Sequence, residues 1–217
     1  MTTSAPGQLH VITGPAETER WLALVADVAA LVRMEPIIEP RQPEGAGGAQ
    51  AVLAAAAGME GAVLVLPAAP TGLGGAEGPP RLERLLVPFD RSRAEDQVLR
   101  PLIRRALEQD VAVEQVHVLT EKSRPRMWEG PGHHAAAWHD ELRRRHRVGT
   151  ATLAVRSGQP AVVLAELGVR ADLVAACWDG QVTAGRAKVL RAILASALPP
   201  PLLLLRRPSP RSGGGHR

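Results

Sequence analysis

Leu85-Leu86-Val87-Pro88-Phe89-Asp90 is the stretch that decides how this chain is read. Three apolar residues in a row have no polar face. They predict a strand covered on both sides, as strands of a parallel sheet are. Pro88, Phe89 and Asp90, with Ser92 just beyond, predict a turn that opens a helix, because Asp and Ser favour turn and N-cap positions. Val98, Leu99, Leu102, Ile103 and Leu107 then recur at helical spacing, with Pro101 expected to kink that helix or to sit in its first turn.

The alternation continues downstream. Val111 to Leu119 contains a second strand, Lys122 to Gly132 a loop, Ala135 to Arg145 a helix, and Thr150 to Val155 a third strand. Pro160 starts a helix carrying Val162, Val163 and Leu167, a position where proline is tolerated. Asp172 to Cys177 reads as a fourth strand. Val189, Leu190, Ile193 and Leu194 mark a last helix, stopped by Pro199-Pro200-Pro201, and Leu202 to Leu205 closes the sheet. Strands alternating with helices imply right-handed crossovers and a parallel sheet. Ligands of such sheets gather outside the carboxyl ends of the strands, near a switch in strand order. That points to Pro88-Phe89-Asp90 and to Cys177-Trp178-Asp179-Gly180.

Upstream, Leu9 to Thr13 reads as a strand, and Trp21, Leu24, Val25, Val28, Leu31 and Val32 share a helical face. Glu35 to Ile38 is a strand or a connector, Ala46 to Gly58 a helix, and Gly61 to Leu66 a strand. The proline- and glycine-rich stretch from Pro67 to Pro80 has little to bury. The expected organisation is a disordered terminus (1–8), an α/β half-module (9–68), a linker (69–80), a main α/β domain (81–206) and a disordered basic tail (207–217). The half-module is too small to stand alone and is expected to pack on the rest.

The chain has 217 residues and a single cysteine, Cys177, so no intramolecular disulfide forms. Without the arginines from Arg206 onward, the 26 basic residues fall to the number of acidic ones, 22. A neutral body argues against nucleic acid as a partner. The start of the chain carries no basic region followed by an apolar core. Its most apolar segment, Ala51 to Ala69, is broken by Gly58, Glu60, Gly61 and Pro67, so no membrane span is expected. These features together lead to the expectation of a cytoplasmic protein.

Taken in order, the pieces from about Arg84 to Arg206 resemble the universal stress protein (UspA-like) domain family. Val87-Pro88-Phe89-Asp90-Arg91-Ser92 is similar to the Val-Pro-x-Asp-x-Ser close of the family's first strand. His117-Val118 resembles its second strand, Arg156 to Ala161 the turn before its fourth helix, Ala171 to Val174 its fourth strand, and Pro201 to Leu205 its last. The resemblance implies a Rossmann-like, adenine nucleotide alpha hydrolase-like parallel sheet of five strands and dimers through the last strand. It also implies small regulatory proteins more often than enzymes. In nucleotide-binding members, the residues matching Pro88, Phe89, Asp90 and Val118 hold adenosine. A Gly-x-x-Gly loop followed by Gly-Ser/Thr cradles the phosphates.

Here that loop departs from the pattern. Cys177 stands at the first glycine and Gly180 at the second. The Gly-Ser site falls on Leu190 or on Lys188-Val189, depending on the alignment. Glycines matter there because backbone N–H groups must approach phosphate oxygens without a Cβ in the way. The expectation is therefore a homodimeric stress-type regulatory or interaction protein with an unknown protein partner, no catalytic activity and no resident cofactor. The first alternative is a sensor that recognises the adenosine part of ATP or AMP through Pro88, Phe89 and Asp90, with Val118 beside them and Gly180 as the residue left from the phosphate loop. The second is an enzyme in the cleft between half-module and main domain, which rests on no motif. Asp90 has two readings, a ribose or adenine contact or a cap for the helix after Ser92. The half-module either extends the sheet or is a remnant of a second repeat.

Other residues carry weaker signals. His133, His134, His139 and His146 lack the i, i+4 spacing of helical zinc ligands, so no metal is expected. Cys177 reads as a buried, inert thiol. Ser92, Ser157 and Ser196 lack a Gly-x-Ser-x-Gly elbow. Arg143-Arg144-Arg145-His146-Arg147 reads as a solvated helix end.

Overall fold

In the computed structural model, Leu85-Leu86-Val87 forms the middle of β4 (Arg84–Pro88). The structure describes residues 7–14, 18–40, 48–67, 79–121, 132–182, 185–196 and 199–206. Before β4 come β1 (Gln8–Thr13), α1 (Thr18–Val32), β2 (Glu35–Pro40), α2 (Gly48–Ala57) and β3 (Ala62–Val65). After it come α3 (Arg93–Glu108), β5 (Ala112–Leu119), α4 (Gly132–His146), β6 (Thr152–Ser157), α5 (Pro160–Gly168), β7 (Leu173–Trp178), α6 (Arg186–Leu194) and β8 (Leu202–Arg206). Pro101 lies inside α3 rather than in its first turn. Gln8, expected in the disordered terminus, instead begins β1, where its backbone pairs with β2. Residues 1–6, the expected tail (207–217), and nearly all of the expected linker and the Lys122 to Gly132 loop lie outside the described residues.

One sheet of eight strands runs in the order β2-β1-β3-β8-β7-β4-β5-β6. Its β8-β7-β4-β5-β6 part is parallel throughout and accounts for the five strands expected of the main domain. The sheet does not stop there. β3 pairs antiparallel with β8, Ala62 opposite Leu205 and Val65 opposite Leu202, and β1 and β2 follow in parallel. The five-stranded expectation is thus corrected to eight, and the half-module continues the same sheet. The cause is the apolar run Leu202 to Leu205, buried in full. An open edge on so apolar a strand would leave buried backbone groups unpaired, and β3 satisfies them. With β7 on one side and β3 on the other, β8 has no edge to offer, so a dimer through this last strand requires β3 to leave.

Strand alternation divides the core between two faces. Leu85 and Val87 of β4 pack with Trp21, Leu24, Leu99 and Ile103 under α1, α3 and α4. Leu86 packs with Leu53, Val116, Leu164 and Leu190 under α2, α5 and α6. Between the two parts of the chain, Arg105 Nη1 donates to the Leu31 carbonyl (2.8 Å), and Asp27 accepts from the Leu82 N–H (3.1 Å).

The firmest joint is Arg206, the last residue of β8. Its Nη2 donates to the carbonyls of Ala57, the last residue of α2, and of Met59 just beyond it (3.0 Å for the latter). Its guanidinium lies 5.5 Å from the centre of the Trp178 ring. A cation there meets the orphan carbonyls and the negative end of the helix dipole. We expect Arg206→Ala to lower the unfolding free energy by about 2 kcal/mol, the scale of hydrogen bonds made by a charged donor. Urea denaturation of the two proteins measures this, and equal stabilities would contradict it.

Candidate functional site

Strand order reverses at β4, with β5 and β6 on one side and β7 and β8 on the other. Outside the carboxyl ends at this reversal lies a cavity of about 300 Å³. Pro88, Phe89 and Asp90 from the end of β4, Val116 and Val118 from β5, Leu164 from α5 and Leu190 from α6 line it. Four of the residues singled out from sequence, Pro88, Phe89, Asp90 and Val118, therefore come together. Gly180 does not line this cavity. It packs against Arg206, where a Cβ would stand 1.8 Å from Nη1, and its φ of +84° suits glycine.

The polar side of the cavity is built on Arg186, the first residue of α6. Its Nη1 donates to Glu95 Oε1 and to the Cys177 carbonyl (2.6 Å), and its Nη2 donates to Asp90 Oδ2. One guanidinium thus joins the turn after β4, the first turn of α3 and the end of β7. An arginine at a helix N-terminus opposes the helix dipole, and two carboxyl groups offset that. The chain reaches this position through Gly185, whose φ of +55° carries it into α6.

The other half of the clamp follows from local sequence. Ser92-Arg93-Ala94-Glu95 has the Ser-x-x-Glu form of a capping box. Ser92 is the N-cap of α3, and its Oγ accepts from the Glu95 N–H (3.2 Å). Glu95 Oε2 then reaches past the N-cap to accept the Asp90 N–H, while Asp90 Oδ1 accepts the Ser92 N–H (2.8 Å). Asp90 therefore caps the turn with one oxygen and binds Arg186 with the other. In sequence, Gly185-Arg186 offers at most a partial substitute for the missing glycine loop, and Glu95 is marked only by the Ser-x-x-Glu pattern.

The two carboxyl groups differ in charge preference. Burial is the largest influence on Asp90 and would raise it, but hydrogen bonds with Glu95 and Ser92 and the Arg186 charge outweigh burial and hold it well below the usual range. For Glu95, whose side chain is 1% exposed, burial and then the hydrogen bond with Asp90 drive the carboxyl up to about 8 against the pull of Arg186. The pair takes up a proton between them, leaving one negative charge against Arg186.

Beside the clamp is an aromatic cluster. The Phe89 ring lies 5.5 Å from the rings of both His117 and His146, and His117 lies 6.2 Å from Trp138. His117 Nδ1 is 3.0 Å from the Phe89 carbonyl and so carries the proton. Burial pushes the His117 pKa down and keeps the ring neutral. His146 Nδ1 meets Asp96 Oδ2 at 3.0 Å. Among the described residues no group of three or more His, Cys, Asp or Glu side chains could hold a metal. The side chains of His133 and His134 lie outside the described residues.

Cys177 is buried, with its carbonyl used by Arg186. A cavity of about 330 Å³ between the two parts of the chain is lined by Val32, Met34, Gly61, Ala62, Val98, Pro101, Leu102, Arg105, Leu205 and Arg206. Among the described residues that line it, Arg105 and Arg206 are the charged ones. No described helix is long and apolar enough to cross a membrane.

No protein-family model matches the chain, and no curated protein does. Among solved structures it is similar to a universal stress protein from Archaeoglobus fulgidus DSM 4304, at 14% identity and TM-score 0.46, over 74% of this chain and 54% of that one. The chain thus spans about half the length of that protein. It is similar to a functionally unknown protein from Pseudomonas aeruginosa PAO1, at 11% identity and TM-score 0.49, over 94% of this chain and 93% of that one. It is also similar to a universal stress protein from Archaeoglobus fulgidus in complex with dAMP, at 20% identity and TM-score 0.36, over 57% of this chain and 95% of that one. No residue's role is carried over from these proteins.

The raised Glu95 pKa makes folding take up a proton between about pH 4.5 and 8. Its contribution is complete below the unfolded value and is lost as pH rises through the folded one. The lowered Asp90 pKa acts the other way, and its contribution is lost only in strong acid. Between pH 5 and 8 the Glu95 group should therefore make stability fall as pH rises, and Glu95→Gln should remove that slope. Urea denaturation across this range tests it, and identical slopes in both proteins would show that Glu95 folds as an ordinary carboxylate.

Proposed function

We propose that this chain is a non-catalytic regulatory protein of the universal stress type. Its switch-point cavity takes the nucleoside end of an adenine nucleotide and leaves the phosphates in solvent. The parallel order β8-β7-β4-β5-β6 supports the fold part of this reading, together with the Val-Pro-x-Asp-x-Ser close of β4. A cavity of about 300 Å³ walled by Pro88, Phe89, Val116, Val118 and Leu164 offers apolar surface for a flat ring. Its volume is at the small end of ligand sites.

The observation that carries the reading is the position of Arg186. A phosphate loop needs free backbone N–H groups and room between the ends of β4 and β7. Here the guanidinium is fixed in that crevice on Asp90, Glu95 and the Cys177 carbonyl. Asp90 is occupied at both oxygens, so shape and apolar contact rather than a ribose–carboxylate bond would hold the ligand. The same commitment supports the non-catalytic part, because both carboxyl groups that line the cavity are engaged with Arg186.

Isothermal titration of the full chain with adenosine, AMP and ATP, with and without magnesium, tests the proposal. We expect adenosine to bind, and all three ligands to agree within about threefold, since phosphates that gain no contact add no affinity. ATP binding more than about tenfold tighter than adenosine would overturn it. So would a failure of adenosine to bind, or steady hydrolysis of ATP.

A further inference from the structure

The sheet has two rims, β2 and β6, and the chain treats them differently. The Glu35 N–H donates to the Gly7 carbonyl beside β1 (3.2 Å). Backbone groups alternate in direction along a strand, so Glu35 and Ile37 face β1, and Pro36, Ile38 and Pro40 face outward. Two of these three outward residues are prolines with no N–H to offer. Prolines at outward positions blunt an edge against pairing.

β6 has no such protection. The Gly158 N–H donates to the Leu119 carbonyl (3.0 Å). The same alternation turns the backbone groups of Thr152, Ala154 and Arg156 toward β5 and those of Leu153, Val155 and Ser157 outward. Among the described residues nothing bonds to these outward groups. The strand contains no proline and pairs with β5 without a bulge from Thr152 to Ser157.

We propose that β6 is an interface at which a second copy of this chain adds its own β6 in antiparallel pairing, about a two-fold axis through Val155. The outward groups are self-complementary about that axis. Val155 exchanges both backbone bonds with the partner's Val155, and Leu153 does so with the partner's Ser157. A β-branched pair meeting at the axis is a favourable cross-strand contact. The side chains on the opposite face agree. Ala154 lies between Thr152 and Arg156, beside Val116, and Thr152 is in register with Glu114. The partner's Arg156 would stand opposite Ala154, whose small side chain lets an arginine cross toward Glu114. Glu114, Thr152 and Arg156 all line an open cavity of about 650 Å³ on this face, so the arginine has room to enter. β8 cannot take this role, since both its edges are filled within the chain.

Light scattering of the full chain from micromolar to near-millimolar concentration tests the interface, together with the variant Val155→Pro. The Val155 N–H faces outward, so proline there removes no bond of the native ladder. We expect the wild-type mass to rise from 23.0 kDa toward twice that value, and the variant to stay at one chain throughout. Amide exchange on the wild-type protein supplies a readout independent of the variant's folding. The Leu153, Val155 and Ser157 amides should exchange about tenfold more slowly at high concentration, and the Ile38 amide should not change. A single-chain mass at every concentration, a dimer that Val155→Pro leaves intact, or exchange at β6 independent of concentration would each overturn the proposal.

Discussion

The Arg186 guanidinium touches the turn after β4, the first turn of α3 and the end of β7 at once. Those three elements meet where the strand order reverses, the place where doubly wound sheets bind ligands. Filling that place with the chain's own cation fixes three things together. It seats α6 against the sheet despite an unfavourable charge at its N-terminus. It divides a shared proton unequally between Asp90 and Glu95. It also separates the apolar end of the crevice, which stays open, from the polar end, which does not.

The residues that form the site were legible in sequence to different degrees, for physical reasons. Pro88, Phe89, Asp90 and Val118 were legible because strand ends are fixed by the apolar run and the turn chemistry that follows it. Gly180 lies outside the cavity, beside Arg206. Spacing from Cys177 gives the position of a glycine in a loop, but not whether the loop folds toward β4 or toward β8. The Cα of Gly180 faces Arg206, so its missing side chain makes room for that guanidinium. Glu95 was legible as the fourth residue of a capping box, but its burial depends on Arg186, 91 residues later in the chain, which no local pattern encodes.

The same distinction separates what was legible in the fold from what was not. Alternating apolar runs and helical faces anticipated nearly every element, and β4 to β8 run parallel as expected. The antiparallel meeting of β3 and β8 could not be read, because Gly61 to Leu66 and Leu202 to Leu205 are apolar throughout. A run of that kind specifies burial on both faces but neither its partner nor its direction. Once β3 covers β8, Arg206 and Trp178 close over the end of α2, and the half-module becomes part of one sheet. The exposed rims then fall on β2, which carries prolines at its outward positions, and on β6, which carries none. Which strands form the rims therefore follows from how the two parts of the chain join, not from either part alone.

A crystal structure of the full chain grown with ATP and magnesium tests the central claim most directly. The account predicts an adenine ring against Phe89 and Val118, Arg186 still bonded to Glu95 and the Cys177 carbonyl, and phosphates extending into solvent. Arg186 swung out of the crevice, with phosphate oxygens bonded to backbone N–H groups between Asp179 and Ala187, would contradict it.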